Sequence, residues 1–154
     1  METNRDYRDL LRELNSARAR FLVVGAYAVI FHAEPRFTRD IDLWVEPTPE
    51  NADRVWVALT QFGAPLTDLT KADLCNPSMV YQIGVAPNRV DILMGVGGLD
   101  FGSAWENRVE STYGGEAIRF IGLDDLIRAK EIAGRPQDML DLALLREARA
   151  RRPK

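Results

Sequence analysis

Residues 21–45 read FLVVGAYAVIFHAEPRFTRDIDLWV, and the order of apolar, glycine and acidic positions in this stretch decides the fold. Phe21 to Val24 is a short apolar, β-branched run that ends at Gly25, the pattern of a buried strand. Ala26 to Ala33 is compact and apolar and reads as a helix that stops before Pro35. Arg39 to Val45 is a second strand. Side chains alternate faces along it, so Ile41, Leu43 and Val45 point into a core while Asp40 and Asp42 share the other face, about 7 Å apart. Two carboxylates so placed repel each other, and a strand beside an apolar core solvates them poorly. Each raises its neighbour's pKa unless a positive charge sits between them. A divalent cation is the natural partner, because hard oxygen ligands suit Mg²⁺.

Working outward, Asp6 to Ala19 carries Tyr7, Leu10, Leu11 and Leu14 at helical spacing. Pro47 and Pro49 close the acidic strand, and Thr48 is placed to cap a helix from Pro49 to Phe62. Gly63 to Ser78 reads as irregular. Met79 to Val85 and Arg89 to Met94 flank the turn-like Ala86-Pro87-Asn88 and form a hairpin that ends at Gly95, Gly97 and Gly98. A short helix is expected over Phe101 to Asn107 and a last strand over Glu116 to Ile121. Two helices follow, Leu123 to Ala133 and Pro136 to Ala150, separated by Gly134. There is no internal repeat, low-complexity segment or linker. The expectation is one mixed α/β (α+β) domain over 1–154, a small mixed sheet packed by helices, with its core at about 20–122 and a C-terminal helical part at about 123–150.

Composition limits the function classes. A chain of 154 residues suits one ordinary domain, and 46% hydrophobic with 28% charged residues argues against wholesale disorder. No apolar run approaches the roughly 20 residues of a membrane span, and the charged start METNRDYRDLLREL is not a signal peptide. One cysteine, Cys75, and one histidine, His32, exclude an internal disulfide and a zinc cluster. Together these features point to the cytoplasm. A net charge of −3 gives no overall attraction to nucleic acid or membrane, although the tail REARARRPK is basic.

The hairpin contributes a third acid. Asp91 lies between the core-facing Val90 and Ile92 and is aimed to the opposite face. If its strand pairs beside the first, three carboxylates converge. Three carboxylates with two metal ions are the arrangement that runs in-line phosphoryl and nucleotidyl transfer. Upstream, Gly25 permits a tight turn into a helix whose first amides, at Gly25, Ala26 and Tyr27, form a place for phosphates. Arg36 and Thr38 are positioned to add contacts to them.

Gly25-Ala26, thirteen residues, Asp40-Ile41-Asp42-Leu43 and the later Val90-Asp91-Ile92 together resemble the DNA polymerase β-like nucleotidyltransferase superfamily. More narrowly, VVGAYAVIFHAEPRFTRDIDLWVEPTPENADRV resembles the small bacterial nucleotidyltransferases related to AbiEii-type toxins of toxin–antitoxin systems. The later helices of that group carry a Lys and an Arg-Pro-x-Asp segment, similar to Lys130 and Arg135-Pro136-Gln137-Asp138. The resemblance implies a single-domain nucleotidyltransferase fold and Mg²⁺ as cofactor, two ions, with Mn²⁺ as a substitute. It implies that Asp40 and Asp42 bind the metals and that Asp91 ligates one and activates an acceptor hydroxyl. Gly25 and the amides after it would hold the triphosphate of an NTP such as ATP, and Lys130 would contact a phosphate. Ala26 departs from the pattern, which has Ser or Gly there, and so lacks one phosphate contact.

Each motif also has a plainer reading. His32, beside Val29 and Phe31, is expected to be a hydrogen-bonded structural histidine rather than a base. Arg36 and Thr38 can be turn residues, Lys130 a surface lysine, and Asp138 a carboxylate stabilising a helix amino terminus. The leading expectation is transfer of a nucleoside monophosphate from NTP to a hydroxyl of a tRNA, a protein or a small molecule. As a toxin, such an enzyme would have an antitoxin protein as partner. The N-terminal helix and the helices after Leu123 are the candidate surfaces for a homodimer. The competing expectation is a catalytically silent module of the same fold that binds a protein or a nucleotide. Ala26 favours the silent module, and the three carboxylates oppose it.

Overall fold

The computed structural model describes residues 3–35, 38, 40–85 and 88–152. In chain order they form α1 (Arg5–Ser16), β1 (Phe21–Val24), α2 (Gly25–His32), β2 (Asp40–Val45), α3 (Pro49–Phe62), a 3₁₀ turn (Asp73–Cys75), β3 (Val80–Ile83), β4 (Arg89–Leu93), α4 (Phe101–Glu106), β5 (Val109–Tyr113), β6 (Glu116–Phe120), α5 (Leu123–Ala133) and α6 (Pro136–Ala150). The strands make one mixed sheet in the order β3-β4-β2-β1-β6-β5. β1 and β2 pair antiparallel at its centre, β4 runs parallel to β2, and β6 runs parallel to β1. This is the expected mixed α/β architecture. Among the described residues no helix is long and apolar enough to cross a membrane.

Local chemistry sets the boundaries. The Asn4 side chain accepts hydrogen bonds from the amides of Asp6 and Tyr7 and starts α1. Thr48 caps α3, with Pro49 in the first turn and Gly63 closing the helix in the left-handed conformation. Buried Asn51 of α3 donates to the carbonyls of Arg20 and Glu46 and accepts from the Arg20 amide, which ties the helix to the ends of both central strands. The alternation read for this strand is realised from Asp40 onward, with Ile41, Leu43 and Val45 buried. Ile41, Leu43 and Val45 join Val90, Ile92, Phe21 and Val23 in the core, against Leu10, Leu11 and Leu14 of α1 and Val55 and Leu59 of α3. The opposite face carries the acids and looks across a cavity onto α5 and the start of α6.

The sequence reading passes over β5. Its residues, VESTY, alternate in burial at the sheet edge rather than forming an apolar run. The signal present is the turn that follows: Gly114 and Gly115 both have positive φ (57° and 85°), as a two-residue hairpin requires. The other expected elements occur within a few residues of their anticipated ends. Of the expected turn between β3 and β4, Ala86 and Pro87 lie outside the described residues.

Candidate functional site

The parallel register of β2 and β4 sets Asp42 opposite Asp91 and Asp40 opposite Arg89. All four side chains therefore rise from one sheet face. Asp40, Asp42 and Asp91 each offer a carboxylate oxygen, and these oxygens lie within 4.8 Å of one another. Strand geometry alone enforces this convergence, since neighbouring strands are about 4.8 Å apart.

The electrostatics are those of a site short of positive charge. Burial, then the charges of Asp40 and Asp91, push the Asp42 carboxyl up to about 7, with Lys130 opposing. A proton retained on Asp42 lets it share a hydrogen bond with Asp91. Asp91 Oδ1 is buried and accepts no hydrogen bond from an N–H or hydroxyl among the described residues. A buried acceptor without a donor is costly, and a cation would satisfy it. The donor set therefore fits a hard divalent metal: three carboxylates, one of them orphaned and one held partly protonated.

Gly25 completes the cradle. With φ at +64° it turns β1 into α2, and a Cβ built on it would lie 2.0 Å from Asp42 Oδ2. Only glycine admits both the turn and the carboxylate. Gly25→Ala is expected to cost about 3 kcal/mol, combining left-handed strain with the displacement of Asp42. Urea denaturation checks this, and an unchanged midpoint would contradict the close packing of Gly25 on Asp42.

Two cavities meet at the acids. One, of about 250 Å³, is lined by Asp42, Asp91, Lys130 and the aliphatic Leu93, Val96 and Ala129. The other, of about 360 Å³, is more polar in character and includes Gly25, Ala26, Thr38, Asp40, Lys130 and Gln137. Among the described residues no side chain caps the amino terminus of α2, and its first residues, Gly25 and Ala26, line the second cavity.

The remaining anticipated residues divide. Ala26 lines the polar cavity, whereas the Tyr27 ring is buried in an aromatic cluster with Tyr7 and Tyr113, leaving only its backbone to reach the site. Thr38 donates to the carbonyl and Oδ1 of Asp40 (3.1 and 3.3 Å) and so orients a carboxylate. Arg36 lies outside the described residues. His32 contacts the Ile121 carbonyl at 2.7 Å through Nε2, and burial lowers its pKa, as suits a structural histidine.

Lys130 is not a surface lysine. It is buried, and Nζ lies 3.1 Å from both Asp138 and Asp141, which are themselves buried. Asp138 accepts the Arg135 amide at 3.0 Å, as helix-end stabilisation demands. It also accepts Arg135 Nε at 2.7 Å and holds Lys130, so the helix-end reading covers only part of its role. Gln137 donates to Asp141 Oδ1 at 3.1 Å. The sequence carried a signal for this cluster, namely carboxylates at i and i+3 on one helix face after a lone lysine. Arg89 was also missed. One of its terminal nitrogens lies 2.6 Å from Asp40 Oδ2 and 3.1 Å from Asp91 Oδ2. Its spacing of two from Asp91 on a strand placed it on the acidic face all along.

No protein-family model matches the chain, and no curated protein matches it. Solved structures do. The lincosamide antibiotic adenylyltransferase LnuA, in its lincomycin-bound crystal structure, is 14% identical over 95% of this chain and 98% of its own, with a TM-score of 0.60. TM1012 of Thermotoga maritima, assigned as a nucleotidyltransferase, is 17% identical over 96% of this chain and 92% of its own, with a TM-score of 0.61. Over nearly its whole length, then, this chain has the fold found in these nucleotidyltransferase structures.

Proposed function

We propose that this chain is a metal-dependent nucleotidyltransferase that moves a nucleoside monophosphate from an NTP to a hydroxyl and releases pyrophosphate. One observation carries the proposal: three carboxylates on paired strands converge beside the uncapped amino terminus of α2. Asp40, Asp42 and Asp91 are the residues that would hold Mg²⁺ or Mn²⁺. The metal's contribution, when bound, is charge neutralisation at the phosphates and at the departing pyrophosphate.

The protein's own groups account for the rest. The amides of Gly25 and Ala26, at the positive end of α2, bind phosphate oxygens in the polar cavity. Two donors of Lys130 are committed to Asp138 and Asp141, and the third is the donor for a phosphate. Asp91 faces the aliphatic cavity, where the acceptor enters, and takes the hydroxyl proton as the acceptor oxygen bonds to the α-phosphorus. The α–β phosphoanhydride bond breaks, and its electron pair leaves with pyrophosphate. The aliphatic walls around Asp91 favour a small molecule or a protein side chain over a tRNA 3′ end, since no aromatic ring among the lining residues is available to stack a base.

In the cell we place the protein in the cytoplasm, acting as one domain, and the toxin of a toxin–antitoxin pair is one biological setting for this chemistry. The test is transfer of label from each α-³²P-labelled NTP, with Mg²⁺, to components of a cell extract. A labelled product that disappears with Asp91→Asn is the expected result. No labelled product with any NTP would favour the silent module, for which the missing hydroxyl at Ala26 is the specific support.

A further inference from the structure

Arg89 offers an inference that rests on the metal-site reading above and goes beyond it. Its guanidinium bridges Asp40 and Asp91 through a single nitrogen, at 2.6 and 3.1 Å. These are two of the three carboxylates that would hold a cation. The ion pairs of Arg89 go to these two, and the third carboxylate, Asp42, stands beside them on the same sheet face. One fixed positive charge thus does part of the neutralising work of a metal.

The way Arg89 is held matters. Its backbone carbonyl accepts the Tyr7 hydroxyl at 3.0 Å, which fixes the strand, while its side chain is 38% exposed and has solvent beside it. The guanidinium can therefore leave without disturbing β4. We propose that Arg89 is a built-in counter-cation: it holds Asp40 and Asp91 in the metal-free protein and is displaced from both when a divalent cation binds.

Removing Arg89 removes a positive charge that would otherwise lie beside the incoming metal. It costs little organisation of the ligands, because strand pairing already places all three acids. Affinity for a divalent cation should therefore rise, by about tenfold, as expected for loss of one like charge a few ångströms away in a partly screened site. The metal-free protein should meanwhile lose stability, since Asp40 and Asp91 lose the cation they share. A purely structural arginine would lower the melting temperature with and without metal and leave metal affinity alone.

The experiment is titration with Mn²⁺ alone, without nucleotide, read as free Mn²⁺ by electron paramagnetic resonance. Wild type, Arg89→Met and Arg89→Lys are compared. Arg89→Lys retains the charge and serves as the second variant if the methionine variant does not fold. The expected result is Mn²⁺ bound about tenfold more tightly by Arg89→Met and near wild-type affinity in Arg89→Lys. Should Arg89→Met not fold, Mn²⁺ bound by Arg89→Lys more than about threefold more tightly or more weakly than by wild type would overturn the proposal. Equal or weaker Mn²⁺ binding by Arg89→Met would overturn the counter-cation and leave the metal site standing. No binding by any of the three would overturn the metal-site reading and this inference with it.

Discussion

Asp42→Asn is expected to abolish nucleotidyl transfer and, in the absence of metal, to make the protein more stable. The cause is the cost of ionising this carboxyl. Its pKa is raised from an ordinary value near 3.8 to about 7. Between these values the folded chain holds a proton that the unfolded chain releases, so stability falls as pH rises from about 4 to about 7, and the full cost is present above 7. Asparagine removes the charge and brings an amide that can donate to the orphaned Oδ1 of Asp91. At pH 8 without metal, the gain should be about 2–4 kcal/mol, a rise in melting temperature of about 5–10 °C. The gain should shrink towards zero near pH 4, where wild-type Asp42 is neutral in both states. A calorimetric pH series on both proteins checks it. A variant less stable than wild type at pH 8 would contradict the account. At neutral pH and above the site thus retains a destabilising charge that a bound cation would relieve, as expected where function and stability conflict.

Asp138→Ala should have the largest destabilising effect, about 3–5 kcal/mol. Asp138 is fully buried and accepts from Lys130 Nζ, the Arg135 amide and the Arg135 side chain. Removing it leaves Lys130 buried with Asp141 as its remaining acidic partner and takes a cap from α6. Hydrogen bonds from the Arg135 side chain, with those from Lys130 and the Arg135 amide, hold the Asp138 carboxyl down at about 2. That contribution is complete above the ordinary value near 4 and is lost as pH falls towards 2, so wild type should unfold in acid over this window and the variant should show less of that dependence. Urea denaturation at pH 7 measures the main effect. A loss below about 1 kcal/mol would mean that Lys130 finds another partner.

The central part of the site was legible because strand periodicity is strict. Asp42 and Asp91 lie between core residues and Asp40 precedes one, and a period of two leaves one face for all three. Gly25 was legible as a turn, but its second duty, making room for Asp42 Oδ2, depends on which strand packs beside it. Pairing between distant segments is not written locally, so the bridge from Arg89 to Asp40, on a different strand, had no sequence signature. Carboxylates at i and i+3 hinted at the cluster around Lys130, but the burial of the lysine depends on how α5 meets α6. Tyr27 shows the converse. Its place after Gly25 suggested the site, yet a large apolar ring on a short helix packs with Tyr7 and Tyr113 instead. The strand β5 went unread because an edge strand need not be apolar, and its Gly114-Gly115 turn was the better guide.

The measurement that tests the central claim most directly is the melting temperature of wild type and Asp42→Asn with and without Mg²⁺, alone and with each NTP in turn. A ligand at 100 times its dissociation constant stabilises by about 2.7 kcal/mol, which is readily seen. The account predicts that wild type gains some stability with Mg²⁺ alone and most with Mg²⁺ and an NTP together, while Asp42→Asn starts higher and gains nothing. Equal melting temperatures for wild type under all conditions, or the same gain in both proteins, would contradict a metal–nucleotide site built on Asp40, Asp42 and Asp91.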